Sequence, residues 1–119
     1  MVSDGAPLTA VTLVTGGSAA SREGAIAAVA PPDAAILLEG LPSGHTILPD
    51  SFDAARIAPG CLCCTGNLVL RVTLNRILRR RPTRLFIGLA STEHLDQLRS
   101  WLSAPPYDQL LALTPDLHA

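Results

Sequence analysis

Apolar residues along this chain fall into short unbroken runs, separated by stretches in which they recur at helical spacing. Residues 10–15 (AVTLVT) are apolar and β-branched and stop at Gly16-Gly17, which predicts a buried strand. Residues 18–30 (SAASREGAIAAVA) predict a helix with Ser18 or Ser21 as N-cap, weakened by Gly24 and stopped by Pro31-Pro32. Residues 33–39 (DAAILLE) predict a second strand, and LPSGH is a turn. Between Thr46 and Pro59, TILP and ARIA predict short strands flanking a loop. Asn67 then caps a helix running to Arg81, with Leu70, Leu74, Ile77 and Leu78 on one face and Arg71, Asn75 and Arg79 on the other, before Pro82 ends it. Residues 84–90 (RLFIGLA) predict a strand. Ser91 or Thr92 caps a helix that carries Leu95, Leu98 and Leu102, and residues 109–113 (QLLAL) close as a last strand. His118 is expected in a frayed tail.

Strands separated by helices imply βαβ units. The expected fold is a three-layer α/β domain with a mainly parallel sheet of four or five strands. Its expected core includes Val11, Leu13, Ile36, Leu38, Leu74, Ile77, Leu85 and Ile87.

Composition sharpens this picture. A chain of 119 residues fits one domain, 1–119. Apolar residues make up 48% but aromatics only 3%, so Ala, Leu, Val and Ile must build the core. A formal charge of -1 argues against a polyanion-binding surface. Arg76, Arg79, Arg80, Arg81 and Arg84 cluster, but at a helix C-terminus cations favour the dipole, so no nucleic acid is expected. No basic residue precedes Arg22 and the first apolar run is short, which supports neither a signal peptide nor a membrane span. The expected compartment is the cytoplasm. There, clustered thiols serve as metal ligands or reactive groups more often than as disulfides.

Two segments carry candidate chemistry. At the first strand-to-helix turn, Gly16, Gly17 and Ser18 stand where a phosphate-binding loop would lie, but the terminal Gly-Lys-Ser/Thr is absent. All nine basic residues are arginine, so no lysine exists to complete it. A tight turn packing strand on helix is the better explanation of these glycines, leaving at most a vestigial, weak anion site. The second segment is APGCLCCTGNL, which holds Cys61, Cys63 and Cys64, all the cysteines of the chain. Thiols at this spacing suit a soft metal, a redox centre, or burial as small apolar groups. Zinc takes four ligands, so the three thiolates leave a fourth place for His45, Glu39, His94, a water or another subunit. Adjacent Cys63 and Cys64 do not point the same way from extended backbone, so one of them can face the core.

The order of strand, VTGG, helix, ILLEG and then GCLCCTGNLVLRVTLNRILRRRPTRLFI resembles the N-terminal nucleotide-binding domain of the CobW-like P-loop GTPases. Those proteins carry a Walker A loop after the first strand, a Glu after the second, and Gly-Cys-x-Cys-Cys followed by Thr and a helix. Gly60, Cys61, Cys63, Cys64 and Thr65 match that motif, and Glu39 matches the Glu. The family handles zinc and cobalt and inserts metal into client proteins. The departures are equally plain: Walker A is lost, the strand-end acidic position falls near Gly88 or in a deletion, leaving GLA, and the Asn-Lys-x-Asp motif is absent. Phosphoryl transfer needs loop, lysine and metal-holding carboxylate together, so GTP hydrolysis is not expected. The resemblance implies a short, degenerate pseudo-GTPase that binds zinc without catalysis and meets a client metalloprotein. The alternatives are a GTP-binding protein with an atypical loop and an interaction module on the same scaffold.

Overall fold

A computed structural model describes residues 8–39, 53–57, 68–90 and 95–119. In chain order the elements are β1 (Thr9–Thr15), α1 (Ala19–Val29), β2 (Ala35–Glu39), β3 (Asp53–Ile57), α2 (Leu68–Arg79), β4 (Arg84–Gly88) and α3 (Leu95–Leu102). A 3-10 turn (Tyr107–Gln109), β5 (Leu111–Leu113) and β6 (Leu117–His118) follow. The described strands form one sheet in the order β3-β2-β4-β1-β5, with β6 also on β1, and every pairing is parallel. The expected three-layer α/β architecture is therefore the one found, with one more strand than the four or five anticipated.

Parallel strands are covered on both faces, which is why their sequences are continuously apolar. All five residues of β2 are buried, and so are the last four of β4. One face of the sheet, with Val14, Ile36, Leu38 and Phe86, packs beneath Ile26 of α1. The other face, with Val11, Leu13, Leu37, Leu85 and Ile87, packs beneath Leu70, Leu74 and Ile77 of α2 and Leu98 and Leu102 of α3. The eight expected core residues are all buried. Removing one such Leu or Ile side chain in favour of Ala typically costs about 2–5 kcal/mol.

The C-terminal tail departs from expectation. Val11 faces Leu113 and Val14 faces Leu117, so three steps along β1 are matched by four on its neighbour, the signature of a bulge. Pro115 sits in that bulge, where a residue without an N–H does not cost a ladder bond. Beyond it His118 is not frayed: it pairs with Thr15, and its Nδ1 lies 3.1 Å from Thr15 Oγ1. Two other limits shift. The last strand begins at Leu111 because residues 107–109 form the 3-10 turn, and α2 stops at Arg79, with Arg81 at φ 55 just before Pro82. Of the two short strands expected between 46 and 59, ARIA falls largely in β3, while TILP lies outside the described residues, as do the expected caps Asn67, Ser91 and Thr92.

Candidate functional site

In a parallel sheet the loops leaving the carboxyl ends of the strands share one edge, and ligands bind there. Of the two segments with candidate chemistry and the two positions that the resemblance adds, three are described at that edge: the glycine turn after β1, Glu39 at the end of β2, and Gly88 to Ala90 at the end of β4. The fourth holds Cys61, Cys63 and Cys64 in the stretch between β3 and α2 and lies outside the described residues. So do His45 and His94.

The glycine turn is held from both sides. Gly16 and Gly17 have φ of 84° and 58°, the left-handed region that glycine enters without strain. A Cβ on Gly17 would stand 2.8 Å from Ser21 Cβ, so the turn also depends on close approach to α1. Ser18 caps α1: its Oγ accepts from the Ser21 N–H at 3.0 Å, and the Ser18 and Ser21 hydroxyls are 3.0 Å apart. Arg22, only 7% exposed, turns back and donates through Nη1 to the carbonyls of Gly16 at 3.1 Å and Gly17 at 2.9 Å. A phosphate cradle gathers N–H groups around an anion, whereas here two carbonyls gather around a guanidinium. On the outer side, Ala119 N donates to Thr15 O at 2.7 Å.

Glu39 is 9% exposed, and its Oε1 accepts from the Ala90 N–H at 2.8 Å. Leu89 N donates in turn to Val14 O at 2.9 Å. The GLA segment is thus stitched to both neighbouring strands. A Cβ on Gly88 would meet Leu38 Cδ2 at 2.9 Å and Ile26 Cδ1 at 3.9 Å, an apolar wall with no acceptor or donor.

Sequence reasoning missed two buried ionic groups in α1. Arg22 is one. The other is Glu23, whose side chain is 2% exposed and pairs with Arg56 of β3, Nη2 to Oε1 at 3.1 Å. Neither is singled out by the hydrophobic pattern of residues 18–30. The available signal was electrostatic: a cation one turn into a helix opposes the dipole unless it finds acceptors of its own. Among the described residues no three His, Cys, Asp or Glu side chains come together, and no helix is long and apolar enough to cross a membrane. Away from this edge, burial pushes the Tyr107 phenol above its ordinary value, and the Arg71 charge partly lowers it.

No family model matches the chain, and no solved structure matches it. Over 73 residues, 60% of the chain, it is 36% identical to the zinc chaperone YeiR of Escherichia coli (strain K12). The match covers 22% of that protein, so the chain corresponds to about a fifth of its relative's length.

Proposed function

We propose that this chain is a non-catalytic metal-handling domain that carries zinc as cargo on Cys61, Cys63 and Cys64 and passes it to a client metalloprotein. The observation that carries the reading is the identity to a zinc chaperone in a chain whose cysteines all fall in one GCLCC segment. Chain continuity supports it as well, since that segment leaves the carboxyl end of β3 and enters α2 at Leu68. Thiolates at the entrance of a helix gain from its positive end, which lowers the cost of deprotonating them for zinc. Three protein ligands with a fourth place filled by His45, Glu39, His94, water or another subunit make an open site, suited to transfer rather than permanent structure. Glu39 already bonds Ala90 N through one oxygen, so ligation through it would draw on the other.

The alternative, nucleotide binding at Gly16, Gly17 and Ser18, finds no support in the geometry of the turn, where Arg22 occupies the carbonyls and the helix N-terminus is capped by Ser18. GTP turnover is expected at background. The deciding experiment is zinc content after tag-free purification, followed by competition with a chromogenic chelator, for the wild type and for the variant with Cys61, Cys63 and Cys64 all changed to Ser. Tight stoichiometric zinc in the wild type, lost in the variant and weakening as pH falls, is the expected result. Equal weak binding by both would make the thiols packing residues and end the proposal.

A further inference from the structure

The arginines of this chain are unevenly placed. Arg22, Arg56 and Arg99 are committed internally, to the glycine carbonyls, to Glu23 and to Asp116 respectively. The remaining six of the nine lie between positions 71 and 84, a stretch with no acidic residue, although the whole chain carries a formal charge of -1. Of these, Arg84 lies over the Phe86 ring at 5.2 Å and Arg71 reaches Trp101 at 6.0 Å. Arg76, Arg79 and Arg81 are exposed, and among the described residues no ion pair engages them.

Their placement follows from α2. Leu70, Thr73, Leu74, Ile77 and Leu78 face the sheet, which turns Val72, Arg76 and Arg79 to solvent, with Val72 56% exposed. Like charges three and four apart on a helix repel, and the C-terminal dipole repays this only within the last turn. The cluster continues past that turn to Arg81, which holds a left-handed φ of 55° that arginine does not favour. From the exposed guanidiniums of Arg76, Arg79 and Arg81, which no ion pair among the described residues engages, we infer that the solvent face of α2 and the turn after it form a docking surface for an acidic segment of a partner protein. The inference does not rest on zinc.

Two observations favour carboxylates on a peptide over a nucleic acid. From Arg71 to Arg79 the helix rises only about 12 Å, a footprint that about four extended residues span. The chain also has no positive surplus outside this face, and its nearby aromatic, half-buried Trp101, is occupied by Tyr107 at 4.7 Å and by Arg71. Guanidinium forks match carboxylates bidentately, so glutamates on alternate residues of a strand can meet successive arginines. Exposed pairs are individually weak, so the binding is shallow and sensitive to salt.

The test is fluorescence anisotropy with a labelled peptide of alternating glutamate and serine, titrated with the full chain at about 50 mM and about 300 mM salt, beside a single-stranded RNA of equal charge. Saturable peptide binding is expected at low salt, weakened about tenfold by the higher salt and about tenfold by Arg76→Gln, Arg79→Gln and Arg81→Asn together. These substitutions keep helix formers in the helix and a residue that tolerates positive φ at 81, with circular dichroism as the check on folding. Val72→Glu, which adds a carboxylate to the exposed face, should weaken the peptide independently. No saturable binding at low salt, binding by the triple variant within twofold of wild type, or tighter binding of the RNA than of the peptide would overturn the inference.

Discussion

Gly88 offers a direct test of whether the end of β4 can hold a carboxylate. A methyl group placed there stands 2.9 Å from Leu38 Cδ2, closer than side-chain carbons pack, but the clashing atom is the far end of a side chain that can turn. Gly88→Ala therefore carries an overpacking cost of about 1–3 kcal/mol, offset by about 0.4–1 kcal/mol from a stiffer unfolded chain. The expected net loss is about 1 kcal/mol, or about 3–5 °C in Tm for a domain of this size. Gly88→Asp meets the same wall and must also bury a carboxylate against Leu38 and Ile26, which are 4% and 0% exposed. Its expected loss is about 3–5 kcal/mol at neutral pH. Burial holds such a carboxyl above its unfolded value, so the folded state keeps its proton longer and the deficit grows as pH rises through the folded value. The difference between the Asp and Ala variants should accordingly shrink from pH 7 to pH 5, other groups cancelling in the comparison. Urea unfolding followed by the single Trp, Trp101, measures it, and GTP turnover should stay at background in both variants. An Asp variant as stable as the Ala variant at neutral pH, or one that gains magnesium-dependent hydrolysis, would refute the argument that the position is walled off.

Two further outcomes follow from side chains described above. Tyr107 is the only tyrosine, so its ultraviolet titration is clean. It should ionise above 10.0, chiefly because burial disfavours the phenolate, and its contribution to stability, whole below that pH, should fall as pH rises through the folded value; a midpoint at or below 10.0 would contradict this. Arg56→Met should cost about 1–3 kcal/mol by stranding the buried Glu23 carboxylate, and adding Glu23→Leu should recover most of it, as a double-mutant cycle by urea unfolding would show; full additivity would mean that the pair is not coupled.

The elements easiest to read in the sequence were those whose environment is uniform along their length. β2 and β4 are buried on both faces, so AILLE and LFIG announce themselves without reference to anything else. α2 was equally legible because its period separates Leu74 and Ile77 from Arg76 and Arg79. What could not be read depends on partners far along the chain. Glu23 and Arg56 are 33 positions apart, and Glu23 does not look buried until the fold brings Arg56 of β3 against it. β6 has two residues and follows a proline, too little pattern to distinguish from a tail, yet β1 provides a ready ladder for it. At the candidate site, the role of Arg22 depends on its folding back over the glycines, which no local propensity encodes. The cysteine motif is the reverse case: its spacing narrows the chemistry to a soft metal, a redox centre or apolar packing, while its geometry lies outside the described residues.

The interior position of β1, between β4 and the β5–β6 edge, imposes an order on how the molecule comes together. Its hydroxyl at Thr12 meets that of Thr114 at 2.5 Å across 102 positions of sequence, and on its other side it pairs with β4. On the Thr114 side β1 is thus completed by β5 and β6, which are synthesised after all the other described elements. Native contacts of such span carry a large closure entropy and slow the search for the fold. Until residues 111–118 arrive, one edge of an almost wholly buried strand is an open template for pairing with another nascent chain. A protein built in this way is most vulnerable to aggregation during its own synthesis, before residues 111–118 have closed the edge.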